Sequence, residues 1–180
     1  MSTVSAEKID QFIAAAEAAA ATTERVKASP EDVAEAVSRG AVDAKRIVVA
    51  EASDLPPEIF AACRVLPGVI QSQSRKEWAA ADVGITEAFA GIARTGTVCI
   101  ELSDGGAAYA SLLPRLHIAL LAKENIVERP ADLFDEGTRI GARGLNRNFV
   151  FVTGPSATAD MGPLVRGVHG PHQLHILILE

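Results

Sequence analysis

Two loops of small polar residues, each directly after an apolar run, carry side chains suited to ligand chemistry. They are 103–106 (SDGG), after the run 97–102, and 154–160 (GPSATAD), after the run 149–153. Each leads into a segment that we interpret as a helix, and the free N–H groups of a helix start hold anions. If the strands are parallel, both loops lie at the carboxyl edge of the sheet, where ligands of open α/β folds bind. Ser156 or Thr158 would equally suit a helix cap, and the glycines a simple turn.

A third polar segment, 94–97 (RTGT), offers two hydroxyls, a glycine and a guanidinium. Thr95 and Thr97 could donate to a ligand beside the backbone N–H groups at Gly96. Arg94 would then supply the main positive charge for a carboxylate or phosphate. The same residues also suit the turn of a hairpin that leads from 88–93 into the strand at Thr97, and we favour that interpretation.

Three of the four histidines crowd the carboxyl end, which would suggest a metal site if their side chains converged. Gly170-Pro171 breaks any helix there, and His172 and His175 would face opposite sides of an extended strand, so we predict no metal site. A Gly-Pro turn can hold His169 at a loop rim for acid–base or anion contact, or His169 can simply support the turn. His117 begins an apolar strand, where a hydrogen-bonded core histidine is a commoner role than a catalytic one.

Several common cofactor and nucleophile motifs are missing from the sequence. It contains no G-x-x-x-x-G-K-[ST], no G-x-G-x-x-G and no G-x-S-x-G. Cys63 and Cys99 stand far apart, so the chain offers neither a thiolate zinc site nor an iron–sulfur cluster of its own. We therefore predict a protein without a cofactor.

Composition narrows the classes of partner. The 180 residues are 48% hydrophobic, and 17 Lys plus Arg against 23 Asp plus Glu give a net charge of −6. Such a chain has no basic field for nucleic acid or an anionic membrane. It shows neither an export signal at its first residues nor an apolar run of about 20 residues, and few cysteines, so we expect a cytoplasmic location.

The pattern of elements predicts one α/β domain over 1–180 with a helix-rich amino-terminal part, 1–45. Amphipathic spacing predicts a helix from Ser5, and Ser29-Pro30 followed by acids predicts a second helix that ends at Gly40. We predict strands at 47–50, 69–71, 97–102, 116–122, 149–153 and 174–179, with helices at 107–113 and 130–138 between the later ones. Unalternating apolar runs need cover on both faces, so we expect a mostly parallel, three-layer α/β domain.

Several motifs together resemble the LUD-domain family, the lactate utilization protein C group. They are 82–86 (DVGIT), 95–97 (TGT), Leu113-Pro114 with His117, 154–160 (GPSATAD) and 167–171 (GVHGP), all within 82–180. The resemblance implies a NagB/RpiA/CoA-transferase-like fold and a cytoplasmic role in oxidation of L-lactate to pyruvate, beside companion subunits that carry iron–sulfur clusters. The family positions that transfer by motif are Thr95, Gly96, Thr97, His117, Ser156, Thr158, Asp160 and His169.

The chain departs from the family pattern at three places. Many relatives have an acidic residue where Arg94 stands and another where Gly162 stands. They also often have an arginine where this chain has Ala107-Ala108-Tyr109. These changes would invert the charge of the predicted pocket, so the ligand and any activity of the family need not carry over.

Three hypotheses about function follow. The first is a ligand-binding or accessory subunit, without a redox centre, of a lactate-oxidising iron–sulfur complex. The second is a CoA-transferase-like or sugar-phosphate-isomerase-like enzyme, and the third is a protein that kept the fold and lost the site. In the first two, a small anionic metabolite would contact residues from Arg94, Thr95, Gly96, Thr97, Ser103, His117, Ser156, Thr158, Asp160 and His169.

Overall fold

A computed structural model describes residues 4–50, 54–71, 74–102, 106–134, 140, 148–160 and 162–180. Its elements, in chain order, are α1 (Ala6–Ala18), β1 (Thr22–Val26), α2 (Pro30–Gly40), β2 (Ile47–Val49), α3 (Pro57–Arg64), α4 (Arg75–Ala79), β3 (Val83–Ala88), β4 (Ala90–Ile92), β5 (Thr97–Glu101), α5 (Ala107–Leu112), β6 (Leu116–Ala122), β7 (Ile126–Val127), β8 (Phe149–Val152), β9 (Ala157–Thr158), β10 (Val165–Arg166) and β11 (Gln173–Leu179). Short 3₁₀ turns cover Lys123–Asn125 and Pro130–Leu133.

The central sheet has five strands in the order β1-β11-β6-β3-β2, and every neighbouring pair is parallel. Both of its faces are covered. One face packs on α2 and α3 through residues such as Val37 and Phe60, and the other packs on α1, α5 and a second sheet. The mostly parallel α/β architecture expected from the apolar runs at 47–50 and 116–122 is thereby confirmed.

The second sheet is mixed, in the order β7-β4-β5-β8. β4 and β5 form the antiparallel hairpin predicted for the RTGT turn, with Ile92 opposite Thr97. β8 pairs antiparallel with the other side of β5, so that Val98 lies opposite Val152. The strands predicted at 97–102 and 149–153 therefore exist, but both belong to this sheet and not to the parallel one.

The first two helices begin where the sequence predicts. The hydroxyl of Ser5 accepts a hydrogen bond from the N–H of Lys8, and that of Ser29 accepts one from the N–H of Asp32. Pro30 occupies the first turn of α2, where its missing N–H costs nothing. These local signals require only neighbouring residues, so they can be recognised in the sequence alone.

Other predicted elements were wrong. No helix follows 154–160; the chain instead forms β9 and β10, which pair antiparallel as a short hairpin. Residues 69–71 make only an isolated bridge between Val69 and Ile47. The helix predicted at 130–138 is a 3₁₀ turn over Pro130–Leu133, and 135–138 lie outside the described residues. Two strands of the central sheet, β1 and β3, were missed.

Gly84 in β3 brings α5 down onto the central sheet. A Cβ at this position would overlap the carbonyl oxygen of Ala110 in α5 and press on the ring of Pro114. The glycine thus permits a backbone-to-backbone approach that no other residue permits without displacing the helix. Because Gly84 pairs in register with His117 of β6, this contact also sets the distance of α5 from that histidine.

The helices of the described residues do not reach the combination of length and apolarity that a membrane crossing requires.

Gly84→Ala is expected to lower the free energy of unfolding by about 1–3 kcal/mol, because an added methyl group in a filled contact forces backbone movement. Gly40→Ala is the matched control, since a Cβ there would meet side chains only at 3.4 Å or more. Urea unfolding of both variants and the parent measures the difference. Equal stability of Gly84→Ala and the parent would contradict this account of α5.

Candidate functional site

A cavity of about 230 Å³ opens between the central sheet, α5 and the carboxyl end of β8. His117, Leu174 and residues 111–112, 150–156 and 169–171 line it. His117 and Leu174 are the second residues of β6 and β11, so the cavity lies at the amino edge of the parallel strands. We call it the His117 cavity.

His117 is the most deeply buried polar group of this cavity, with no exposed surface. Its Nε2 lies 2.8 Å from the hydroxyl oxygen of Thr86, which is also fully buried. Its Nδ1 is buried and has no hydrogen-bond partner. Burial lowers the pKa of His117 to about 4, so the ring is neutral near pH 7.

An unpartnered buried nitrogen is costly, because it has lost its water and gained nothing in return. A ligand hydroxyl or carboxyl group that reached Nδ1 would remove that cost. Depending on the tautomer, Nδ1 donates or accepts one hydrogen bond. His117 is therefore a candidate ligand-binding group, in addition to being the core histidine that its apolar strand suggested.

Ser156 and His169 meet at the wall of the cavity. The N–H of His169 donates to the Ser156 hydroxyl at 3.3 Å, and the N–H of Ser156 donates to the Pro171 carbonyl at 3.0 Å. The N–H of Gly167 donates to the Ser156 carbonyl at 2.7 Å. These bonds tie the GPSATAD and GVHGP segments together, as a single cleft requires. Their contact with a ligand stays a prediction.

The threonines of the RTGT turn reach the cavity through a chain of hydroxyls. Thr95 and Thr97 lie 2.7 Å apart at their side-chain oxygens, and Thr97 lies 2.7 Å from the hydroxyl of Thr153, which lines the cavity. Gly96 is pressed against the backbone of α1 at Ala16 and has a φ of +62°, so only glycine fits this turn. The turn supports the wall of the cavity from behind.

The remaining predicted residues do not line the cavity. Arg94 is exposed, and its N–H donates to the carbonyl of Glu128 beside β7. Thr158 pairs with Val165 in the β9–β10 hairpin, and the N–H of Asp160 donates to the Thr158 hydroxyl at 3.5 Å. Ser103 lies outside the described residues. Of the three polar GPSATAD residues expected to face one cleft, Ser156, Thr158 and Asp160, only Ser156 lines this cavity.

The expected position at the carboxyl edge of the sheet was wrong for the GPSATAD loop. That expectation assumed that the strand before Gly154 runs parallel within the central sheet. β8 instead runs antiparallel to β5 in the second sheet, and its end lies beside the amino ends of β6 and β11. Gly154, with φ +71° and no room for a Cβ beside the Ala19 carbonyl, then passes the end of α1.

Three contributors to the site escaped sequence reasoning. Thr86 lies one pleat along β3 from Gly84, on the same face of the sheet, where alternation places both against the α5 side. Ser111 and Thr153 line the cavity from α5 and from the end of β8. The sequence signal for Thr86 was its position within the run VGITEA, because a hydroxyl in a buried strand needs a hydrogen-bond partner.

The cavity walls that the structure describes carry no carboxylate, thiol, lysine or arginine, and His117 and His169 are their only ionisable side chains. Among the described residues no group of three His, Cys, Asp or Glu side chains could hold a metal ion. This arrangement can bind a small molecule through hydroxyl, imidazole and backbone groups against apolar walls.

Stability should depend on pH through His117. Its folded pKa of about 4 lies below the 6.5 of an ordinary histidine, so the unfolded chain binds more protons between these values. The stabilising contribution of neutral His117 is complete above pH 6.5 and is lost as the pH falls toward 4, by about 2–3 kcal/mol. Urea unfolding of the parent and of His117→Gln at pH 7 and pH 4 measures this contribution. An equally steep loss of stability in both proteins would contradict it.

Proteins named for lactate utilization are similar to this chain in sequence. Lactate utilization protein C of Shouchella clausii (strain KSM-K16) is 35% identical over 102 residues, which cover 56% of this chain and 44% of that protein. Lactate utilization protein C of Halalkalibacterium halodurans is 37% identical over 103 residues, which cover 56% of this chain and 45% of that protein. The matched region thus spans under half of the length of these relatives.

Lactate utilization protein B of Shouchella clausii is 29% identical over 111 residues, which cover 61% of this chain and 22% of that protein. The chain is therefore similar to proteins named lactate utilization protein B as well as to those named lactate utilization protein C.

A solved structure shares the fold of this chain, and a family model matches almost all of its sequence. The crystal structure of a DUF162 family protein from Deinococcus radiodurans superposes with a TM-score of 0.74 at 23% identity, over 97% of this chain and 98% of that one. The LUD domain model matches residues 5–179. Because this match extends over almost the whole sequence, the chain belongs to the LUD domain family.

Proposed function

We propose that this chain is a ligand-binding subunit of a cytoplasmic L-lactate utilization system, and that the His117 cavity holds a small carboxylic acid such as L-lactate or pyruvate. The observation that carries the proposal is the unpartnered Nδ1 of His117, buried at a cavity whose wall is closed by Ser156 and His169. The names of the similar proteins support lactate utilization as the setting.

The size and polarity of the cavity suit a molecule of a few heavy atoms. Val150, Val152 and Leu174 offer apolar walls for a methyl group, while His117 and Ser156 offer hydrogen bonds. A carboxylate buried deeply without a counter-charge would lose too much hydration energy. We therefore place the carboxylate toward His169 at the exposed rim, and the hydroxyl or keto oxygen toward Nδ1 of His117.

Binding, and not turnover, is what the cavity supports best. The described lining residues provide no carboxylate or thiol nucleophile. The hydroxyl of Ser156 lies beside the backbone of His169 and already accepts a hydrogen bond from its N–H. A redox step would then fall to companion iron–sulfur subunits, which we propose as partners. The CoA-transferase-like alternative needs a carboxylate nucleophile, which the described lining residues do not provide.

L-lactate should bind to the full chain more tightly than propionate, which lacks the hydroxyl group that would pair with His117. Loss of one hydrogen bond to a buried group costs about 1–2 kcal/mol, or about tenfold in affinity. His117→Gln and Ser156→Ala should each weaken L-lactate binding by about that factor. Titration followed by NMR chemical shifts or by calorimetry at pH 7 measures all four quantities.

Ser38→Ala is the matched control for Ser156→Ala, because Ser38 is exposed on α2 and makes no contact with the cavity. Unfolding midpoints of each variant show whether a loss of binding reflects a loss of folding. Arg94→Glu tests the predicted ionic contact separately, and its exposed position outside the cavity leads us to expect unchanged affinity. Absence of saturable binding, or equal affinities in Ser156→Ala and the parent, would contradict the proposal.

The purified chain should show no iron–sulfur absorption in the visible range. Cys63 lies on the buried side of α3, and Cys99 lies in a different core cluster, on β5 of the second sheet. Burial raises the pKa of Cys63 to about 11 and raises that of Cys99 further, which disfavours the thiolates that bind iron. Stoichiometric iron in the isolated chain would show that it carries its own redox centre.

A further inference from the structure

A second concave site lies at the same edge of the central sheet, on the face that packs against α2. We call it the Arg166 groove; it encloses about 480 Å³, and the side chains with polar groups in its lining are Thr22, Arg166, His172, Gln173 and His175. It is larger than the His117 cavity, and nothing in the proposed binding of a small carboxylic acid makes use of it.

The described lining of the groove carries one guanidinium, that of Arg166, in a protein whose net charge is −6. Arg166 lies on β10, and no ion pair holds it among the described residues. The ring of His172 packs against Gly167 and fills the place that a Cβ there would take. No described lining residue is acidic. A guanidinium without a partner, beside imidazole and amide groups, is the donor set that phosphate oxygens fit.

The nearby carboxylate is already engaged. Glu24 on β1 accepts from the Arg39 guanidinium at 2.6 Å, and its other oxygen lies 3.7 Å from Nε2 of His175. Arg39 lies in the last turn of α2, so it also offsets the partial negative charge of the helix end at Gly40. The groove therefore keeps the positive charge of Arg166 available to a ligand.

His175 gives the groove a fixed wall. Its Nδ1 lies 2.7 Å from the hydroxyl oxygen of Thr22. The Thr22 hydroxyl also lies within 3.5 Å of the Leu174 carbonyl oxygen, to which it can donate a hydrogen bond. The ring of His175 packs 3.4 Å from the place that a Cβ at Gly40 would take. A site with one exposed guanidinium and an imidazole wall fixed by a hydrogen bond can hold a phosphate group.

From these observations we infer that the Arg166 groove binds the phosphate group of a phosphorylated metabolite, at a site separate from the His117 cavity.

Inorganic phosphate and pyrophosphate should bind the full chain saturably at pH 7 and constant ionic strength, as followed by NMR chemical shifts of groove residues. Arg166→Gln should weaken this binding about tenfold, the value of one charge-assisted hydrogen bond. Arg166 is exposed, so this variant should fold as the parent does. His172→Gln provides a second variant, which removes one imidazole group of the groove without changing Arg166.

Lys27→Gln is the matched control, because it removes one exposed positive charge just past the carboxyl end of β1, away from the groove. If Lys27→Gln weakens phosphate binding as much as Arg166→Gln, only the net charge matters and the inference is overturned. Absence of saturation overturns it as well. L-lactate affinity should stay unchanged in Arg166→Gln, so a failure of this inference and a failure of the proposed function give different results.

Discussion

The close contact between α5 and the central sheet at Gly84 is the constraint on which the candidate site depends. The backbone of Ala110 occupies the space that a side chain at position 84 would fill, so the backbone of α5 packs directly against the backbone of β3. This closeness places Ser111 and Leu112 beside His117, which is the register partner of Gly84 on β6. It also seals His117 from water, which lowers its pKa and leaves Nδ1 without a partner. A bulkier residue at position 84 would lift the helix and admit water to the histidine.

The second sheet explains why the site lies at an unusual edge. In an open parallel α/β sheet the strand-to-helix loops gather at the carboxyl ends of the strands, and ligands bind there. Here β8 belongs to an antiparallel pair with β5 and ends beside the amino ends of β6 and β11. The loop after β8 therefore meets the loop before β11, and Ser156 joins the two by hydrogen bonds to Gly167, His169 and Pro171. The position of the cavity follows from strand pairing, and not from the chemistry of the loop.

Local features of the structure could be predicted from the sequence, and long-range ones could not. The Ser29-Pro30 cap of α2 and the RTGT hairpin turn depend on residues a few positions apart, and both were predicted correctly. The assignment of 97–102 and 149–153 to a second sheet depends on pairing across about 50 residues, about which an apolar run carries no information. β1 was missed because an edge strand with the sequence TTERV buries little. The edge of the sheet predicted for the GPSATAD loop was wrong because it too depends on the long-range pairing of β8 with β5.

Strand alternation divides the amino edge of the central sheet into two environments. Successive residues of a strand face opposite sides, so Leu116 borders the groove and His117 the cavity at the start of β6. On β11 the neighbouring pair repeats the pattern, because Leu174 pairs with His117 while His175 turns toward α2 and the groove. The two sites thus share one edge of the sheet, and among the residues that the structure describes only the groove is lined by a guanidinium. Leu174 borders both sites. A register shift of one residue in β11 would turn His175 toward the apolar cavity, which ties the chemistry of both sites to the pairing of a single strand.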